Sequence, residues 1–220
     1  MNVIANTFLL VFAGLFPIVN PIGNAPIFLS LTRHLTASDR HALAGRVAVH
    51  SLFLLIGSLL IGSYVLEFFG ISVPVLRIVG GLVVSSFGWR LLHAGDVGGA
   101  QGSAEGTDHT VDAFYPLTMP LTVGPGSISV AVTLGTQRPR PLPDMLHIAL
   151  LIGAAVAGLL AIAAAVYLCY RWADRVVTLL GARGTDVVIR LSAFILLCIG
   201  VQILWTGVST LFGDMPAPSH

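Results

Sequence analysis

Asn20 and Asn24 lie four residues apart within residues 1–32, a stretch without a single charge. An amide donates and accepts at once, so two of them can hold both ends of a small zwitterion. Polar groups in apolar surroundings are expensive and mark functional sites. Around them stand Pro17, Pro21, Gly23 and Pro26. Each proline lacks a backbone donor and clashes with the carbonyl four residues earlier, at about 3 kcal/mol in a helix interior. The carbonyls so released are those of Ala13, Pro17 and Ile22.

The same chemistry recurs further along. Residues 16–26 read FPIVNPIGNAP and residues 115–125 read YPLTMPLTVGP. A constant offset of 99 residues lays Pro17 on Pro116, Pro21 on Pro120 and Pro26 on Pro125. The chain has only 12 prolines, so the match argues for an internal repeat. In the second copy the released carbonyls are those of Asp112, Pro116 and Leu121, and Gly124 and Gly126 tolerate unusual backbone angles. Asn20 falls opposite Met119, so any site is asymmetric between the copies. A weaker match, at an offset of 113, pairs LRIVGGLVV (76–84) with IRLSAFILL (189–197) and sets Arg77 opposite Arg190.

The polarity of a ligand follows from these groups. A carboxylate suits the free N–H groups and positive dipole at the start of a half-helix. Asn24 offers that position after Gly23, and Ser127 offers it after Gly124-Pro125-Gly126. An ammonium suits freed carbonyls and the side-chain oxygens of Asn20, Thr118 and Thr122. Gly23, Gly124 and Gly126 leave space for a small substrate. The competing reading of the hydroxyls and glycines is helix packing. For Arg77 and Arg190, at the edges of apolar runs, snorkelling or bonding to freed carbonyls competes with gating. His50 and Glu67 can carry a coupling proton, but both sit near predicted span ends. The coupling ion, H⁺ or Na⁺, stays open, because Na⁺ sites can be built from carbonyls and hydroxyls alone.

The elements that position these residues cross a membrane. Of 220 residues, 55% are hydrophobic and 10% charged, against about 25% charged in a soluble domain. Six apolar stretches, 1–32, 47–66, 73–92, 113–137, 145–170 and 191–213, approach or exceed the roughly 20 residues of a spanning helix. The expectation is an all-α polytopic membrane protein: six transmembrane helices as a 3+3 inverted repeat, with helices 1 and 4 broken. Residues 1–93 form the first repeat, 94–112 a flexible cytoplasmic linker, 113–213 the second repeat and 214–220 a short external tail. Three spans per half force the second half to enter from the opposite side. Paired interrupted segments in corresponding positions are the best sequence pointer to a transporter site. Of 11 basic residues, all Arg, eight lie in or beside the loops after spans 1, 3 and 5. That bias puts those loops in the cytoplasm and both termini outside. A net charge of +1 excludes nucleic-acid binding by phosphate neutralisation. The sequence has no P-loop, nucleophile elbow, dinucleotide fingerprint or metal-ligand cluster. No enzyme activity, metal or cofactor is expected.

The segments NPIGNAPIFLSLT (20–32), LRIVGG (76–81) and PLTMPLTVGPGSIS (116–129) resemble the signature segments of the MarC-type integral membrane family, which is related to small neutral amino acid transporters. The resemblance covers nearly the whole chain. It implies a secondary transporter of glycine- or alanine-like substrates in the bacterial inner membrane, partnered by its substrate and the bilayer. A channel or uncoupled facilitator for a small polar solute, and a non-transport membrane scaffold, are the alternatives.

Overall fold

The structure, a computed structural model, describes residues 3–93, 112–136 and 145–213. Among the described residues every regular element is helical. The expected linker, apart from Asp112, and the tail 214–220 lie outside the described residues.

Helix α1 (Val3–Val19) and helix α2 (Pro21–Leu31) are separated by one residue, Asn20, in the left-handed region at φ 47 and ψ 55. Asparagine is one of the few residues that visit this region readily. Helix α3 (Ala37–Phe68) is capped by Thr36, which accepts from the Asp39 amide at 3.2 Å. It ends at Gly70, whose φ of 66 turns the chain back into α4 (Val73–His93). The second half opens with a widened turn, Leu117–Thr122, whose backbone bonds reach five residues back, as from the Val123 amide to the Thr118 carbonyl at 2.8 Å. Met119 within it is extended. Then come α5 (Pro125–Thr136), α6 (Met145–Arg171) and α7 (Ala173–Gly213), which breaks at Gly181 with φ 64.

Among the described residues, five helices are long and apolar enough to cross a bilayer: Val3–Leu31, counting α1 and α2 together, then Ala37–Phe68, Val73–His93, Met145–Arg171 and Arg183–Phe212. The sequence predicts six. The difference lies in 113–137, an uncharged run that reads as one span. It is instead the widened turn followed by the 12-residue α5. A helix of that length reaches only about 18 Å, short of a hydrocarbon core of about 30 Å. The last span also begins earlier than residue 191, because Asp186 and Arg190 pair on α7 and do not end the helix.

The core gathers where the interrupted segments meet α3 and α6. Leu15, Val19, Phe28, Leu55, Leu117, Val123, Leu159, Ile162, Val166 and Tyr170 are buried there. Phe53, Phe68, Leu160, Ile195 and Trp205 point outward. Large apolar side chains on the outside suit a protein whose solvent is lipid.

Candidate functional site

The predicted prolines sit at the interruptions. Pro17 lies inside α1, Pro21 opens α2 and Pro26 lies within it. Pro116 precedes the widened turn, Pro120 lies in it and Pro125 opens α5. In a continuous helix the Gly23 amide would bond the Val19 carbonyl. Here Asn20 Oδ1 accepts from the Gly23 amide at 3.2 Å, and Asn24 Nδ2 donates to the Val19 carbonyl at 2.9 Å. The two side chains thus take over both halves of one missing backbone bond.

Asn24 Nδ2 has a second hydrogen. It goes to the Leu121 carbonyl at 2.9 Å. That carbonyl has no helical partner, because Pro125 has no N–H. One buried amide, with 2% of the residue exposed, therefore ties the first break to the second across 97 residues of sequence. Each unmade bond would cost about 1–3 kcal/mol at such burial.

Tyr170 of α6 completes the junction. Its hydroxyl lies 2.8 Å from Thr122 Oγ1, which is also 2.7 Å from the Leu117 carbonyl. A carbonyl can only accept, so the single Thr122 hydrogen goes to Leu117. Tyr170 is then the donor to Thr122. Its ring stacks on Phe28 of α2, with centroids 4.4 Å apart and planes 14° apart. Sequence reading misses Tyr170, and the only signal would have been a polar tip on an apolar body at the end of α6.

The remaining predicted residues divide. Thr118 is buried and donates to the Ala113 carbonyl at 2.7 Å, inside the widened turn. Ser127 is buried and donates to the Gly124 carbonyl at 2.9 Å. Neighbouring atoms fill the space beside the glycines. A Cβ on Gly23 would stand 2.7 Å from the Ser192 Cβ, and one on Gly126 only 1.8 Å from Val84 Cγ2. A Cβ on Gly124 would lie 3.2 Å from the Pro120 carbonyl oxygen. Gly23 thus lets α2 approach α7, and Gly126 lets α5 approach α4. Ser129, unforeseen, adds a bond from α5 to the Leu76 carbonyl of α4 at 3.1 Å. Arg190 is exposed and pairs with Asp186 at 2.9 Å, so its partner is a carboxylate on its own helix and not a freed carbonyl. Arg77 is half-buried on α4 and makes no hydrogen bond among the described residues.

Two atoms stay unpaired inside this junction: Asn20 Nδ2, a donor, and Asn24 Oδ1, an acceptor. Their opposite polarity can receive a group that both accepts and donates, as an amino acid's carboxylate and ammonium do. Buried polar atoms without partners cost free energy unless something fills them.

The Pro-Gly segments that build the junction belong to a recognisable lineage. The MarC family integral membrane protein model matches residues 5–212. A UPF0056 membrane protein of Pyrococcus abyssi is 29% identical over 210 residues, covering 96% of this chain and 98% of its own. The UPF0056 membrane protein YvbG of Bacillus subtilis is 31% identical, covering 92% and 94%. The UPF0056 inner membrane protein MarC of Salmonella typhimurium is 30% identical, covering 88% and 90%. No solved structure matches. With both interruptions inside the matched span and relatives aligned over nearly their full lengths, this chain belongs to the MarC family of multi-pass integral membrane proteins.

Proposed function

We propose that this chain is a secondary transporter of small neutral amino acids, glycine- or alanine-like, working by alternating access in the inner membrane. The observation that carries this reading is the pair of unpaired atoms of opposite polarity, Asn20 Nδ2 and Asn24 Oδ1, buried at the meeting point of two interrupted helices. Interrupted helices facing each other are how transporter folds present backbone and side-chain groups to a substrate at depth. No enzyme activity is part of the reading.

The packing supports a two-fold relation between the halves. Exchanging the halves swaps α1 and α2 with the widened turn and α5, α3 with α6, and α4 with α7. The main packing pairs have counterparts under that exchange: α2 on α6 with α5 on α3, α1 on α6 with the turn on α3, and α2 on α7 with α5 on α4. The pairs α3 with α6 and α4 with α7 map onto themselves. Helices α4 and α7 run antiparallel, since Gly81 meets Gly200 and Leu204 while Gly88 meets Ala193 and Leu197. Antiparallel partners are what inversion of a three-crossing unit requires. In this reading the turn and α5 together make the short crossing, giving 3+3 spans, external termini and a cytoplasmic 94–112 linker.

Counterflow in proteoliposomes tests the proposal. Labelled glycine should accumulate against internal unlabelled glycine or alanine, and the protein's melting temperature should rise with added glycine. Flux that ignores internal substrate would replace the transporter with an uncoupled facilitator. No flux and no thermal shift with any of the twenty amino acids would sink the reading.

A further inference from the structure

Tyr170 and Phe28 sit at one end of the fold, and their position is as telling as their bonds. Tyr170 is the penultimate residue of α6, and Phe28 stands three residues before the end of α2. Asn24 lies one turn earlier than Phe28 on the same helix, towards the break. Past the ring pair the chain turns into corners bearing Arg33, Arg40, Arg171 and Asp174. Arg40 on α3 and Asp174 on α7 meet there at 3.2 Å. The stacked rings therefore stand between the unpaired amides and the polar rim. Phe28 is 0% exposed and Tyr170 1%, so both rings are closed off from solvent.

We propose that the Phe28–Tyr170 stack is the gate that closes the two breaks from the corner side, with the Tyr170 hydroxyl fastening it shut on Thr122. The inference rests on the transport reading above for its purpose, but the closure is a property of these residues alone. Each gate partner comes from a different body: Phe28 from the first broken helix, Thr122 from the second, Tyr170 from α6. Opening on this side means separating the rings and releasing one hydrogen bond. The bond is between two neutral hydroxyls, which makes it strong enough to bias the closed state and weak enough to release. Tyr170 bonds Thr122 of the second break and its hydroxyl also interacts with the Asn24 side chain of the first, so the gate borders the junction that it closes.

The test reads access without any substrate. In a chain carrying Cys169→Ser and Cys198→Ser, Ser127→Cys places one thiol beside the second break. Its rate of modification by a charged, water-soluble methanethiosulfonate is measured on folded, detergent-purified protein. The parent thiol should react slowly. Tyr170→Phe keeps the ring and should speed labelling about three- to tenfold, the shift expected when one neutral hydrogen bond is lost. Tyr170→Ala removes the plug and should speed it at least about tenfold. If Tyr170→Ala does not fold, Phe28→Leu, which keeps bulk but ends the stacking, carries the same expectation of faster labelling. A parent thiol already as reactive as a free one, or an unchanged rate in the folded variants, overturns the gate. Counterflow on the parent chain, with native Ser127, Cys169 and Cys198, separates the two ideas. Responsive labelling with no parent glycine flux keeps the gate and removes the transport reading, and parent flux with unresponsive labelling does the reverse.

Discussion

Asn20 and Asn24 divide the work at the first break, and substitutions should separate their roles. Asn24→Leu leaves the Val19 and Leu121 carbonyls without donors. At about 1–3 kcal/mol for each, the melting temperature should fall by several degrees. Asn20 carries two separable properties, its left-handed backbone at φ 47 and its amide. Glycine accepts that backbone freely and alanine does not. Asn20→Gly keeps the backbone angle but leaves the Gly23 amide without its acceptor, so it should melt a few degrees below the parent, while Asn20→Ala loses about 1–2 kcal/mol more to strain. Both should lose glycine counterflow if Asn20 Nδ2 holds the ligand. An Asn20→Gly protein that transports like the parent would remove the amide from the site. Much of this was legible. The proline spacing placed both breaks, and Pro125 marked the Leu121 carbonyl as free. Its actual partner was not legible, because nothing local to Asn24 indicates that residue 121 will lie beside it.

At the scale of elements, glycines decide how closely helices meet. Gly81 and Gly88 on α4 are seven residues apart, and so are Gly200 and Gly207 on α7. A Cβ on Gly200 would stand 2.5 Å from the Ser85 amide nitrogen, and one on Gly81 2.5 Å from that of Leu204. Backbone cannot step aside as a side-chain tip can, so Gly81→Ala and Gly200→Ala should force the helices apart, costing about 1–3 kcal/mol. Gly57→Ala on α3 meets nothing within 4 Å. It should leave melting unchanged or raise it, by up to about 1 kcal/mol of helix propensity. Thermal melts of the three variants in one detergent compare them directly; equal losses at all three would refute the close-approach argument. The glycine spacing is present in the sequence, but the expected Arg77–Arg190 match aligns the same two helices six residues differently. Packing favours the glycines, since they lie at the contact and Arg190 faces its own Asp186. The length of α5 was not legible either. Hydropathy counts apolar residues and does not register where the backbone stops being a helix.

For the molecule as a whole, the arginine distribution sets which way it is expected to lie in the membrane. Eight of eleven arginines on one set of loops predict cytoplasmic corners. A cytoplasm-dependent fluorescent reporter fused after His220 should stay dark, and one inserted at Gly102 should glow. The opposite pattern would place the Phe28–Tyr170 end outside. Segment 113–137 does not form one long helix as its composition suggests, yet the class was plain from composition, because a chain with 10% charge cannot dress a water-facing surface.

The bond from Asn24 to Leu121 also bears on how the protein is made. Ribosomes deliver the first half before residue 121 exists, so that half enters the bilayer with one amide hydrogen of Asn24 unanswered. An unsatisfied group at depth costs several kcal/mol in lipid, which makes the early half an intermediate waiting for its complement. The later half waits in the same way, with the Leu121 carbonyl bare. Each half thus carries the other's missing partner. Two separately expressed pieces, cut within residues 94–111, should find one another in the membrane and co-purify, and Asn24→Leu in the first piece should weaken that recovery.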